Sequence, residues 1–126
     1  MSREIKFRAW DKYENKIRKV RGINFTNKDL WLEIEDNRIM GANFFEVELM
    51  QYTGLKDRND KEIYEGDILR VYDDFFRDGL DDMYGVVKFD NGRFYLNTFK
   101  PYYNETWIYF EVVGNIYENP ELLEEK

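Results

Sequence analysis

The chain contains no cysteine and no histidine among its 126 residues. The lack of cysteine excludes disulfide bonds, thiolate metal sites and cysteine nucleophiles. The lack of histidine excludes the most common general acid–base side chain and the most common zinc ligand. These two absences remove most of the usual catalytic mechanisms. The sequence therefore predicts a protein that is not an enzyme and that has no catalytic residues, metal or cofactor.

The chain also has few prolines and no long apolar run. Two prolines in 126 residues exclude a Pro-rich linker. No stretch approaches the roughly 18 apolar residues that a membrane span needs. Residues 1–8 lack the apolar segment of a secretory signal peptide. We therefore expect no membrane association and a cytoplasmic location.

The net charge of −7 is unevenly distributed along the chain. Residues 1–28 contain nine basic and three acidic residues, a net charge of +6. Residues 29–126 contain ten basic and 23 acidic residues, a net charge of −13. A basic segment joined to an acidic body can pair within one molecule, between copies or with a polyanion, and the same charges can also simply solvate opposite surfaces.

Aromatic residues are abundant, with ten Tyr, ten Phe and three Trp. Such side chains favour β-sheets, and about seven or eight short strand-like runs separated by turn signals are typical of sandwiches and barrels. We predict a mainly-β fold, an SH3-like small β-barrel in one domain of residues 1–126. Its N-terminal β-hairpin arm covers about residues 1–28 and its barrel body about residues 29–126, with additional N-terminal strands and a short C-terminal helical turn. Aromatic rings in excess of what one core needs predict a homo-oligomer, unless a two-layer fold buries them internally.

Alternation predicts a hairpin near the start of the chain. In residues 5–11, Lys6, Arg8 and Trp10 point to one side and the small or apolar residues between them to the other. A turn at residues 11–15 leads to a return strand at residues 16–21. Basic residues of both strands could therefore converge on one face.

Further local patterns predict turns and strands along the rest of the chain. Asn91-Gly92 between alternating runs predicts a second hairpin, and Gly66 is expected to take a positive φ. Residues 106–113 are rich in β-branched and aromatic side chains and predict a long strand. Asn119-Pro120 predicts a helical turn with Asn119 as its cap.

Four segments carry specific sequence patterns, in this order: residues 5–11 (IKFRAWD), 50–69 (MQYTGLKDRNDKEIYEGDIL), 85–89 (GVVKF) and 113–122 (VGNIYENPEL). Together they span almost the whole chain and resemble the YopX family of small proteins from phages and prophages of Gram-positive bacteria. The resemblance implies an intracellular accessory protein with a β-rich, SH3-like barrel and no agreed catalytic residues. One departure is Asp60, which stands where the family turn commonly has glycine.

The candidate interaction residues lie in two places: Lys6, Arg8, Trp10 and Arg18 in the predicted hairpin, and Phe75 and Phe76 in a loop at residues 73–82. Basic side chains beside Trp10 could bind phosphates while an unstacked base stacks on the ring. The same face could instead be solvated or docked on an acidic neighbour. The overall acidity of the chain speaks against nucleic-acid binding.

Acidic side chains supply two further candidate sites, one for a metal ion and one for acid–base catalysis. We interpret both as solvated surface. Five aspartates in the loop at residues 73–82 could offer oxygen ligands to calcium, but their spacing lacks the EF-hand pattern. Such a loop is more often solvated, or it contacts a host protein. Glu46 and Glu48 lie two apart in a predicted strand, as an acid–base pair would, but the wet face of a sheet also has this pattern.

The sequence therefore favours a phage or prophage accessory protein that is a non-enzymatic protein–protein interaction module. We expect it to bind itself and an unidentified host or phage protein. The alternative is a nucleic-acid-binding β-barrel that uses the basic N-terminal hairpin.

Overall fold

A computed structural model describes residues 4–71, 83–98 and 104–124. In these ranges the strands are β1 Phe7–Asp11, β2 Lys16–Asn24, β3 Asp29–Glu33, β4 Ile39–Asn43, β5 Val47–Lys56, β6 Glu62–Tyr64, β7 Asp67–Val71, β8 Met83–Asp90, β9 Arg93–Asn97 and β10 Glu111–Asn115. The short 3₁₀ helices are η1 Glu35–Asn37, η2 Phe44–Glu46, η3 Asn104–Tyr109 and η4 Pro120–Leu123. No helix in the described ranges could cross a membrane. The chain divides into two units, Met1–Tyr52 and Thr53–Lys126.

The first unit is an antiparallel sheet with the strand order β4-β3-β2-β1-β5. Successive side chains along each strand point to opposite faces of the sheet, so that one face is apolar and the other carries charged side chains. Four buried residues form the core on the apolar face: Ala9, Leu30, Leu32 and Val47. The predicted β1–β2 hairpin is confirmed.

The 3₁₀ helix η2 shows that this sheet is curved. It joins Asn43 at the end of β4 to Val47 at the start of β5, two strands at opposite ends of the five-strand order. Four Cα–Cα steps reach at most about 15 Å, whereas four strand spacings in a flat sheet measure about 19 Å. The sheet must therefore curl around its apolar face to bring the two strands within reach.

The second unit contains an antiparallel sheet with the order β10-β7-β8-β9. Its core consists of Ile63, Leu69, Val71, Val87, Leu96, Trp107, Phe110 and Val112. The predicted β8–β9 hairpin is confirmed, with Asn91 at φ 52° and Gly92 at φ 79°. Gly66 has φ 88°, as predicted, and its N–H donates to Val87 O at 2.8 Å.

One carboxyl group, that of Asp57, organises the turn between β5 and β6. Its Oδ1 accepts the backbone N–H groups of Asn59 at 2.8 Å and Lys61 at 2.9 Å. Its Oδ2 accepts the N–H of Val112 at 2.7 Å. Asp57 is buried, so this side chain ties the turn to β10 in the core of the second unit.

Asp60, in the same turn, takes a left-handed conformation with φ 67°. Asp60→Gly is therefore expected to raise the free energy of unfolding by about 1 kcal/mol, because glycine adopts this region without a Cβ penalty. Urea unfolding of the full chain measures the change. Lys61→Gly, at a residue without a positive φ, is the control and should be destabilising. Lower stability of Asp60→Gly than of the parent would contradict the prediction.

The predicted strand at residues 106–113 is wrong over most of its length. Residues 104–109 form η3, and β10 begins only at Glu111. Trp107 and Phe110 are both buried, whereas Ile108 and Tyr109 are exposed. Residues three apart share a side of a 3₁₀ helix, so this conformation places both large rings in the core.

The mainly-β prediction is confirmed by two antiparallel sheets. In the described ranges the strands do not close into a barrel, and the SH3-like arrangement stays a prediction. The predicted boundary between the N-terminal arm and the barrel body, near residue 28, falls between β2 and β3. These two strands pair with each other in the first unit. The predicted C-terminal helical turn is η4, with Asn119 before Pro120.

Candidate protein-binding surface

The structure brings Lys6, Arg8 and Trp10 to one face of the first unit. Arg8 pairs with Lys19 of β2, so Lys19 shares this face. We call these four residues the basic face. The Lys6 Nζ atom lies 5.0 Å from the centroid of the Tyr52 ring and 3.4 Å from Glu4 Oε2. The Arg8 Nε group donates to Met50 Sδ at 3.4 Å. The basic face is therefore held in place by contacts of its own.

Arg18 does not join this face. It pairs with Ala9, whose side chain lies in the apolar core, and its own side chain is 8% exposed. Arg18 Nε donates to Asp11 Oδ2 at 2.9 Å. The hydrogen bond to Asp11 holds the pKa of the Arg18 guanidinium above its ordinary value, against the effect of burial. Arg18 thus stabilises the unit from inside and is not available at the surface.

Asp11 is the partner that keeps Arg18 buried. Its Oδ1 also accepts the backbone N–H groups of Tyr13 at 3.0 Å and Glu14 at 3.2 Å. Burial raises the pKa of Asp11, but the hydrogen bonds from Arg18 and these N–H groups outweigh burial and place it below its ordinary value. The hydrogen bond from Lys16 likewise lowers the pKa of the exposed Glu35, to about 2.

This arrangement predicts a stability contribution that depends on pH. Because the pKa of Asp11 is lower in the folded state than the ordinary value near 3.9, its ionised form stabilises the protein above about pH 4. This contribution is lost as the pH falls through the folded pKa. Asp11→Asn should therefore lower the free energy of unfolding by about 3 kcal/mol at neutral pH, and by clearly less near about pH 3.

Urea unfolding of both proteins at the two pH values measures this difference. Glu14→Gln is the matched control, because Glu14 lies in the same turn with an exposed side chain. Its effect should stay within about 0.5 kcal/mol at either pH. An equal loss for Asp11→Asn at both pH values would contradict the assigned role of Asp11.

The other sequence candidates are not assembled into a site by the described residues. Glu46 lies in η2, where its Oε1 accepts the N–H of Asn43 at 2.7 Å, whereas Glu48 lies in β5. Phe75, Phe76 and the acidic loop at residues 73–82 lie outside the described residues. Within residues 4–71, 83–98 and 104–124, no group of three acidic side chains is placed to hold a metal ion.

The free edge of β4 is a feature that the sequence patterns did not predict. Phe44 N–H donates to Lys28 O at 3.0 Å, and Ile34 N–H donates to Arg38 O at 2.8 Å. Hydrogen bonding alternates along a strand, so even-numbered residues of β4 face β3, and Ile39, Gly41 and Asn43 direct their backbone groups outward. We call this row the β4 edge. Natural edge strands usually carry charged residues or proline, and their absence from residues 39–43 was the available signal.

Two cavities flank the β4 edge, one on each face of the sheet. The outer cavity, of about 250 Å³, is lined by seven residues of β3, β4 and η2: Asp29, Leu30, Trp31, Gly41, Ala42, Asn43 and Glu46. The inner cavity, of about 140 Å³, lies on the apolar face, and its lining has an apolar and a polar part: Leu32, Met40, Ala42 and Val47, and Asp11, Tyr13, Glu14, Gly41 and Glu46. Both are smaller than the ~300–1,000 Å³ of typical small-molecule sites, and their size suits single side chains.

Large apolar side chains are exposed on the elements around this edge. Phe25 is 68% exposed in the β2–β3 turn, and Phe45 is 75% exposed in η2. Phe25 also contacts Phe44 edge to face, with ring centroids 6.2 Å apart. Ile39 and Trp31, on β4 and β3, are 51% and 43% exposed. We call Phe25, Trp31, Ile39 and Phe45 the exposed apolar group.

Comparison with known proteins identifies a family and a similar solved structure. The family model described as YopX protein matches residues 6–124. The crystal structure of protein EF1440 from Enterococcus faecalis is similar, with a TM-score of 0.73 and 31% sequence identity. The alignment covers 98% of this chain and 100% of that chain. No curated protein matches the chain.

Proposed function

Since the chain belongs to the YopX family, we propose that it is a phage or prophage accessory protein. We further propose that it acts as a non-enzymatic protein–protein interaction module. It binds a host or phage protein in the cytoplasm of the bacterial cell, and it self-associates. The observation that supports this proposal is the exposed apolar group. Aromatic side chains are enriched at protein interfaces and carry much of their binding energy.

Sedimentation and a pull-down from host lysate test the proposal together. Phe25→Ser combined with Phe45→Ser should weaken self-association or retention of a stoichiometric partner at least about tenfold, the effect expected of interface hot spots. Ile108→Ser is the matched control, because it removes a half-exposed apolar side chain from the second unit. The proposal would be overturned if the unmodified chain sedimented as a monomer and retained no protein from the lysate.

A second candidate function, nucleic-acid binding, is favoured by the common face of Lys6, Arg8, Trp10 and Lys19. Phosphate contacts release counterions, so binding of a single-stranded oligonucleotide should weaken steeply as salt is raised. Lys6→Glu combined with Arg8→Glu should abolish it. If these changes alter only the oligomeric state, nucleic-acid binding is excluded as the function of this face.

A further inference from the structure

The β4 edge offers unused backbone groups in a defined place. The outward N–H groups of Ile39 and Gly41 have no partner among the described residues, whereas that of Asn43 is satisfied by Glu46. All three residues of the edge are exposed. An extended segment can pair with such groups as an added strand, and its main-chain hydrogen bonds then supply affinity.

The outer cavity has the chemistry of a site for a cation. Asp29 lines this cavity, and its Oδ1 accepts no hydrogen bond among the described residues, so the carboxylate keeps acceptor capacity for a donor. The Trp31 ring beside it is partly exposed, and aromatic faces attract ammonium and guanidinium groups. The position beside the ring is open, because a Cβ built on Gly41 meets nothing within 4 Å.

The inner cavity has a different preference. Leu32, Met40, Ala42 and Val47 supply the apolar part of its lining, on the other face of the same strand, beside Glu14, Glu46 and Asp11, which is already paired with Arg18. Successive side chains of a strand point to opposite faces, so neighbouring residues of an added strand would enter the two cavities. We infer that the β4 edge binds an extended segment of a partner protein in which a basic residue, for the outer cavity, stands next to an apolar one, for the inner cavity.

This inference rests on the proposed protein-binding function and specifies its site. Charge complementarity decides the occupant: Asp29 and Glu46 line the outer cavity with carboxyl groups, and the described residues place no basic side chain in that lining. A lysine or arginine of the bound protein would therefore meet opposite charges in the outer cavity, whereas an acidic segment would be repelled.

Short synthetic peptides test the site. Each peptide has a central arginine with β-branched residues on both sides of it. In matched peptides the arginine is replaced by citrulline, its uncharged isostere, or by glutamate. Fluorescence anisotropy with the full chain should give a dissociation constant at least ~10-fold lower for the arginine peptide. Asp29→Asn and Trp31→Ala should each remove most of this difference.

One pair of variants isolates the strand pairing. Gly41→Pro removes the outward N–H and leaves the β3–β4 ladder intact, because the even-numbered residues make that ladder. Gly41→Ala adds a Cβ too but keeps the N–H. Both should unfold at about the same temperature, whereas only Gly41→Pro should lose the arginine peptide.

The results that would overturn the inference are equal binding of the arginine and citrulline peptides, no binding of the arginine peptide, or undiminished binding by Gly41→Pro. If peptides fail to bind while Gly41→Pro dissociates oligomers, the edge belongs to a second copy of the chain, and the basic segment is excluded. A protein partner that Phe25→Ser with Phe45→Ser loses, but Gly41→Pro retains, would preserve the proposed function while excluding this site.

Discussion

Asp57→Ala is expected to lower the free energy of unfolding by roughly 3–5 kcal/mol, a large share of the total for a domain of this size. The carboxyl group accepts three backbone N–H groups, those of Asn59, Lys61 and Val112. Alanine leaves these donors without an acceptor, and each buried donor that loses its partner costs about 1–3 kcal/mol. The N–H of Val112 is the most sensitive, because its bond is buried.

Urea unfolding of the full chain measures the effect of Asp57→Ala. Asp57→Asn keeps one acceptor oxygen in nearly the same shape and should lose less than alanine does. Lys61→Ala is the control within the same turn, since the Lys61 side chain is exposed and its backbone N–H is unchanged. A loss below about 1 kcal/mol for Asp57→Ala would show that the turn does not depend on this side chain.

Trp107→Ala should lower the free energy of unfolding by about 3–5 kcal/mol, because it leaves a large cavity in the core of the second unit. Trp107 is fully buried, and it packs with Leu96, Phe110 and the other core residues of that unit. Its indole N–H finds no acceptor among the described residues. Truncation relieves that penalty, which places the expected loss toward the lower end of the range.

Two further variants make the Trp107 prediction specific. Ile108→Ala, on the exposed side of η3, should cost less than about 1 kcal/mol. Trp107→Phe removes the unpaired N–H and keeps an aromatic ring, so its loss should be less than half that of alanine. Equal losses for Trp107→Ala and Ile108→Ala would contradict the burial of Trp107 and the exposure of Ile108 on opposite sides of η3.

Local patterns predicted the elements that local chemistry determines. The hairpin at Asn91-Gly92 follows from two residues that tolerate a positive φ. The positive φ of Gly66 and the helical turn after Asn119 have the same origin, because each depends on one or two adjacent residues. Asn119 nevertheless uses its side chain elsewhere, since its Oδ1 accepts the N–H of Asn115 at 3.2 Å.

The placement of Arg18 could not be predicted because it depends on one residue of register. A turn at residues 11–15 would set Arg8 opposite Arg18, on one face. In the structure Asp11 belongs to β1 and pairs with Lys16, so the turn has one residue fewer. A shift of one residue moves every side chain of a strand to the other face. The buried bond between Asp11 and Arg18 stabilises this register, and nothing in the alternation of either strand reveals it.

The free edge of β4 and its cavities depend on tertiary structure in the same way. Asp29, Trp31 and Gly41 are unremarkable in the sequence, and they come together only because β3 pairs with β4 at the end of the sheet. Similarly, η3 forms where strand propensity is high, since the core of the second unit takes Trp107 and Phe110 from one side. Burial outweighs intrinsic propensity at such positions.

The sequence separation of the paired strands has a consequence for the order of folding. In the first unit β1, β2, β3 and β4 pair with their neighbours in sequence, so these hairpins close small loops within microseconds. In the second unit β7 pairs with β10, bringing Arg70 opposite Glu111. Closing so long a loop loses more chain entropy and slows folding. We therefore expect β10 to dock on β7, like β5 on β1, after the hairpins have formed, and amide hydrogens on the side of β7 that faces β10 to gain protection later than those of the β1–β2 hairpin.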